Sequence, residues 1–265
     1  LTNVEQFELD ASGNSGASVT IDDATVVAFG GTFDAVISET DDNNGTQTLD
    51  ASAAALSGSN VVLNTSLREG EGSNTNVTFK GGGATEDVTL SDNDDTVEFD
   101  LNDASFLSAA DSIDGGDNDA GDSVSGATAV DLDDSEDTLL LNGNLSDGSP
   151  GETIKISADQ LDSVENVEQI KVNAGGSDDN DVLALTLSEE FVSNNVDADD
   201  ELEIGAKDST GNLALSVDGS AASDDTSLRL RGNDQTLTTV TGDTLIGGAG
   251  DDVIQAGKGD DTVTG

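Results

Sequence analysis

Short apolar–polar alternations recur along the whole chain. They include SVTIDDATVVAF (18–29), NVVLN (60–64), NVTF (76–79), DTVEFDL (95–101), DTLLLNG (137–143), TIKIS (153–157), EQIKV (168–172), DVLALTL (181–187) and NLALSV (212–217). Val, Ile, Leu and Thr dominate these runs, and Gly, Asn or Asp separates them. Period-two alternation bounded by turn residues predicts an all-β chain of many short strands. Only ISADQLDSVENVEQ (156–169) and DASFLSAAD (103–111) read as containing a helical turn.

Three landmarks occur twice in the same order. NVEQ stands at 3–6 and 166–169, TSLR at 65–68 and 226–229, and FKGGGATEDVTLSDNDDTVEF (79–99) aligns with LIGGAGDDVIQAGKGDDTVTG (245–265). This predicts a first tandem β unit at 1–163 and a partial second unit at 164–265. A shorter repeat lies inside the third landmark, in the pattern G-G-x-G-x-D-x-U-x with U large and apolar. Gly247-Gly248-Ala249-Gly250-Asp251-Asp252-Val253-Ile254-Gln255 fits every position. The next nine residues, with Gly257, Gly259, Asp261 and Val263, fit all but the first. The frame extends backwards to Asp243 and Asp234, so four aspartates stand nine apart. Residues 81–98 are a degenerate copy, with Gly81, Gly82, Glu86 and Asp95 at the equivalent places.

These residues resemble the RTX calcium-binding nonapeptide repeats of secreted bacterial proteins. The wider stretches ISADQLDSVENVEQIKV and 94–116 resemble regions of large RTX adhesins and calcium-dependent S-layer proteins. The resemblance implies a parallel β-roll at 229–265, in which residues 18 apart share a side and ions sit between successive turns. It places one ion between turns 229–234 and 247–252, and another between turns 238–243 and 256–261. Ile254 and Val263 then point into the roll from opposite sides. The expected fold class is all-β, with parallel β-roll or β-solenoid segments joined to β-sandwich-like or irregular β regions.

Composition sharpens the cation reading. The chain carries 56 acidic residues, 15 Glu and 41 Asp, against 8 Lys and Arg, for a net charge of -48. Short Asp side chains suit tight turns and hard-cation sites. Further acidic clusters occur at 38–45, 131–137, 175–181 and 197–201. The strongest is DGGDNDAGDS (114–123), which adds Asp114, Asp117 and Asp122 as candidate ligands. The cofactor expected is Ca2+, several ions per chain. With one large apolar residue per nonapeptide, burial does not offset a backbone entropy of about 1–2 kcal/mol per residue, so the ion must supply the difference. The chain is expected to fold when its charge is neutralised and to stay largely unfolded otherwise.

Charge and composition exclude other classes. Nucleic-acid binding needs clustered Lys and Arg. There is no Cys or His, hence no disulfide, thiolate or imidazole metal site, and no Cys or His nucleophile chemistry. The expectation is a non-enzyme. No run reaches the roughly 18 apolar residues of a transmembrane helix. Leu1 at the start, with no Met anywhere, reads as a fragment or processed piece. The expected role is an extracellular, calcium-stabilised structural protein that self-assembles at the cell surface as an S-layer lattice, filament or adhesin stalk. Type I secretion of an unfolded chain suits it. Expected partners are further copies, through calcium-dependent contacts, with cell-surface polysaccharide as a second candidate. The alternative is the calcium-binding RTX region of a secreted enzyme or toxin.

Overall fold

Branched side chains fit a pleated, half-buried surface, and Gly, Asn and Asp break each run before it lengthens. The computed structural model describes residues 6–10, 16–38, 46–55, 58–64, 76–90, 94–102, 106–116, 137–144, 151, 153–175, 181–196, 201–206, 213–233 and 242–265. The first strands are β1 (Phe7–Asp10), β2 (Ser18–Asp22), β3 (Thr32–Ser38), β4 (Gln47–Ala53), β5 (Asn60–Asn64), β6 (Val77–Gly81), β7 (Thr85–Thr89), β8 (Thr96–Asp100) and β9 (Ser112–Asp114). β10 (Thr138–Asn144), β11 (Thr153–Ile156), β12 (Val164–Glu165) and β13 (Gln169–Gly175) follow. The last are β14 (Val182–Thr186), β15 (Glu201–Ala206), β16 (Ala214–Asp218), β17 (Ser227–Arg231), β18 (Thr244–Ile246), β19 (Val253–Gln255) and β20 (Thr262–Thr264).

Every strand pairing among the described residues is parallel. One nine-stranded sheet runs β2-β4-β6-β8-β10-β13-β15-β17-β19. The chain alternates between it and two shorter sheets, β1-β3-β5-β7-β9-β12 and then β11-β14-β16-β18-β20. Each excursion and return completes one coil of a parallel β-roll. The switch between the shorter sheets occurs in one coil, which carries both β11 and β12 with helix α2 (Ala158–Leu161) between them.

The roll therefore reaches far beyond 229–265. Antiparallel pairing, which β-sandwich regions require, is absent among the described residues. β10 pairs with β13 over seven residues, so the long sheet is continuous across position 163/164. The repeated landmarks fall on opposite sheets. β6 and β8 belong to the long sheet, whereas the aligned β18 and β20 belong to a shorter one; β7 and β19 are exchanged in the reverse sense. The first TSLR lies outside the described residues.

Register aligns the apolar positions into rows. In the long sheet Val19, Leu49, Phe79, Val97, Leu139, Ile170, Ile204, Leu230 and Ile254 are successive neighbours. Opposite them Ile156, Leu185, Val217, Leu245 and Val263 form a second row. Ile254 and Val263 thus extend rows on different sheets, as the resemblance implies. Leu245 is fully buried and Ile254 packs partly against the core, while Val263, on the outermost strand of its sheet, is 51% exposed. Parallel stacking of like residues converts one large apolar side chain per strand into a continuous core.

The run 18–29 does not continue as a strand. Asp22 ends β2 and caps α1 (Asp23–Ala28), accepting from Thr25 N–H at 2.8 Å and from its hydroxyl at 2.7 Å. Such a cap favours a helix start over further extension. A third helix, α3 (Glu189–Asn194), is capped by Ser188, which accepts from Phe191 N–H. DASFLSAAD gives no helix over its described residues, only a turn at 109–110.

Gly81 belongs to this packing and not to a turn. It ends β6 opposite Phe99 of β8, and a Cβ there would overlap the Phe99 ring, which is fully buried. We expect Gly81→Ala to destabilise the calcium-loaded chain by about 1–3 kcal/mol through overpacking. Adding Phe99→Leu should recover part of that loss. Urea unfolding of the two variants in saturating calcium checks both.

Candidate metal centre

The residue at the start of each long-sheet strand, just before it or within its first two positions, sits where the strand's first N–H groups need partners. Register stacks Ala17, Gln47, Val77, Asp95, Asp137, Glu168, Leu202, Leu228 and Asp252 in one column. Side-chain oxygens in it reach back one coil. Gln47 Oε1 accepts from Ala17 N–H at 2.8 Å, and Asp95 Oδ1 from Val77 N–H at 2.6 Å. Asp137 Oδ1 accepts from Asp95 N–H at 2.7 Å, and Glu168 Oε2 from Asp137 N–H at 3.2 Å. Asp252 Oδ1 accepts from Leu228 N–H at 3.0 Å. A second column starts the shorter sheet's strands. There Asp243 Oδ1 accepts from Leu215 N–H at 2.7 Å and Asp261 Oδ1 from Asp243 N–H at 2.9 Å. The described sixth-position aspartates, Asp243, Asp252 and Asp261, are therefore clamps between coils, each with one oxygen on the backbone.

Their second oxygens differ. Asp243 Oδ2 accepts from Asn233 N–H at 2.7 Å. Asp252 Oδ2 is buried with no hydrogen-bond partner, and it fills the space that a Cβ on Gly247 would need. A Cβ on Gly248 would meet Ala222 at 2.7 Å, and one on Gly250 would overlap Thr226 O. Close approach explains these three glycines. Positive φ explains the next turn, at Gly257 (83°) and Gly259 (152°). A hard cation takes six to eight oxygens from carboxylates and carbonyls. Among the described residues no three acidic side chains converge on one point. The donor set that fits is mixed: Asp252 Oδ2 with backbone carbonyls of the facing turn.

That facing turn is 219–226, not 229–234. Gly219 N–H donates to Ile246 O and Ala249 N–H to Ala222 O, whereas 229–231 is strand paired with β19. The coil between β17 and β18 exceeds one nonapeptide, so the 18-residue spacing fails on that side. It holds on the other, where Asp243 and Asp261 stack and Thr244 pairs with Thr262. Asp234, Asp117 and Asp122 lie outside the described residues.

The earlier candidates also sit in columns. Glu86 is fully buried, its Oε1 accepts from Gly82 N–H at 3.0 Å, and its Oε2 has no hydrogen-bond partner. Its own N–H donates to Asp111 Oδ1. A Cβ on Gly82 would lie within 3.0 Å of the carbonyl oxygens of Ala51, Ser52 and Ala54. Asp95 is buried in the long-sheet column. Asp114 accepts from Gly116 N–H and Asn166 Nδ2. Sequence reasoning missed Gln47, Asp111 and Glu168, and took Asp137 only as the last residue of the acidic cluster 131–137. The signal for several was a polar residue directly before a Thr–apolar strand start, as in Gln47-Thr48-Leu49, Asp95-Thr96-Val97 and Asp137-Thr138-Leu139.

Stacking like charges has a cost. Two carboxylates one strand spacing apart, ~4.8 Å, repel by about 3 kcal/mol at an effective dielectric of ~20. Burial pushes Asp137 up to about 10, with the Asp95 and Glu168 charges adding to it. Burial pushes Glu86 up to about 9, with Asp111 adding to it. Both values exceed the unfolded carboxyl range of about 4, so their contribution to folding is complete below pH ~4 and is lost as pH rises toward 9–10. In chelator, residual β structure should fall as pH rises from 5 to 9, and Asp137→Asn should flatten that slope. Circular-dichroism titrations at fixed ionic strength measure it.

The family model described as RTX calcium-binding nonapeptide repeat (4 copies) matches residues 238–265, which include β18, β19 and β20. No curated protein and no solved structure matches the chain. Among the described residues no helix is long and apolar enough to cross a membrane. Residues 238–265 thus match RTX-type nonapeptide repeats, which bind several Ca2+ ions, and their described part, 242–265, forms the last coils of a parallel β-roll.

Proposed function

We propose that this chain is an extracellular structural segment whose β-roll is set by calcium and which assembles with further copies at a cell surface. The observation that carries this reading is the continuity of the nine-stranded sheet, which runs past the nonapeptides through most of the chain. A long solenoid is a rod-like spacer with extended faces for lateral contact. In this reading Asp252 Oδ2 and the carbonyls of turn 219–226 hold one ion, and turn 256–261 holds another against the Asp243 side. Extracellular calcium modules bind at about 10⁻⁴–10⁻³ M, so the sites fill outside the cell and stay empty in the cytosol. An ion at 100 times its Kd stabilises the fold by about 2.7 kcal/mol per site. At a net charge of -48, contact between copies requires bridging cations.

A second reading has one observation in its favour. The family match is confined to 238–265, as for a calcium-binding segment attached to an enzyme or toxin. Calcium-dependent assembly separates the two. Millimolar calcium should restore β structure to chelated chain and then produce large particles in light scattering and ordered arrays or filaments in electron microscopy. Chain that folds with calcium but stays monomeric at high concentration favours the second reading. Chain whose circular dichroism is unchanged in excess chelator defeats both. Asp252→Asn combined with Asp261→Asn should lower the calorimetric ion count and raise the calcium midpoint for folding severalfold.

A further inference from the structure

The corner around Gly115 repeats the geometry of the nonapeptide segment at a place where no nonapeptide can be read. Gly232 directly follows β17, its N–H donates to Gln255 O of the next coil, and a Cβ on it would overlap both Ala256 O and Asp243 Oδ2. Gly115 directly follows β9, and its N–H donates to Glu165 O of the next coil at 2.9 Å. A Cβ on it would overlap Asn166 O and lie 2.9 Å from Asp137 Oδ2. In both corners the aspartate starts the next strand and clamps the preceding coil through Oδ1. Gly247 and Asp252 are related in the same way. Between Gly115 and Asp137 the chain is far longer than between Gly247 and Asp252, which hides the motif from the sequence.

One difference gives the corner its chemistry. In the Gly232 corner, the N–H after the glycine donates to Asp243 Oδ2. In the Gly115 corner, the equivalent N–H, that of Gly116, donates to Asp114 Oδ1 instead. Asp137 Oδ2 is left without a hydrogen-bond partner, although Asp137 is only 1% exposed. It shares that state with Asp252 Oδ2. Asn166 is held at φ 54°, the one non-glycine described with positive φ, and its Nδ2 donates to Asp114 Oδ1 at 2.7 Å. That conformation is costly for a side-chain-bearing residue and fixes the orientation of its backbone. A carboxylate oxygen and a carbonyl oxygen thus meet at a corner that only glycine leaves open, which is the donor chemistry of a hard divalent cation.

We propose that the Gly115–Asp137 corner is a calcium site outside the nonapeptide repeats, with Asp137 Oδ2 and the Asn166 carbonyl oxygen as ligands. It couples the first half of the roll to the coil where the shorter sheets exchange, since Asp137 and Asn166 flank β10 to β12.

The ion count on the full chain tests it. By calorimetry and elemental analysis, a variant with Asp243, Asp252 and Asp261 all changed to Asn should still bind at least one calcium. Asp137→Asn keeps the Oδ1 acceptor, and it should remove one ion from the wild-type count; Gly115→Ala should do the same. An unchanged count in folded Asp137→Asn overturns the site. Crystals of the wild-type chain grown in calcium give a reading that needs no variant. An anomalous peak about 2.3–2.6 Å from Asp137 Oδ2 and Asn166 O supports the proposal. A peak at Asp252 with none at Asp137 overturns it and leaves the calcium-set roll standing, and no peak at either removes both.

Discussion

Carboxylate oxygens that accept backbone N–H groups from the preceding coil hold this molecule in register. In a parallel roll the start of each strand is where a ladder is least satisfied, and here Gln47, Asp95, Asp137, Glu168 and Asp252 fill that gap in one sheet. Asp243 and Asp261 do so in the facing one. A hydrogen bond to a charged group contributes about 1.5–3 kcal/mol, comparable to the repulsion of about 3 kcal/mol between stacked neighbours. The clamps therefore balance their own charge only narrowly. Any surplus must come from a proton or a cation, which makes folding sensitive to both.

The same arithmetic joins the two halves of the chain's chemistry. A chain with 8 cationic side chains has few internal counterions. Two of those described are used on strand faces, Lys80 on Glu98 at 2.5 Å and Arg229 on Glu201 and Glu203. They do not reach the unpartnered oxygens of Asp137 and Asp252. Calcium accepts carbonyl and carboxylate oxygens together, so it can neutralise a clamp without displacing the backbone bond that the other oxygen makes. Clamp and ligand are thereby two ends of one side chain. This gives a physical reason for the preference for Asp, whose short side chain keeps both oxygens at the coil boundary.

The apolar rows are the counterpart. Nine residues from Val19 to Ile254 stack along one sheet, and none is more than one strand spacing from the next. Without a fixed register those residues would not meet, and without the rows the clamps would close nothing. Gly81 shows the tolerance: the Phe99 ring occupies the space of its missing side chain.

The sequence by itself determined a good deal. Alternation read the chain as all-β, the nine-residue pattern placed Asp243, Asp252 and Asp261 at turn ends, and Ile254 and Val263 fell on different sheets as the resemblance to nonapeptide repeats implies. These are local properties, fixed by strand period and turn chemistry. Only the tertiary structure decided which turn faces which. Loop length between β17 and β18 shifted the partner of turn 247–252 to 219–226, and the long connection before Asp137 hid a corner equivalent to Gly247–Asp252. Spacing along a chain is a guide to stacking only when every coil has the same length. In this roll the coils vary, and register is set by hydrogen bonds and rows of side chains that meet only after folding.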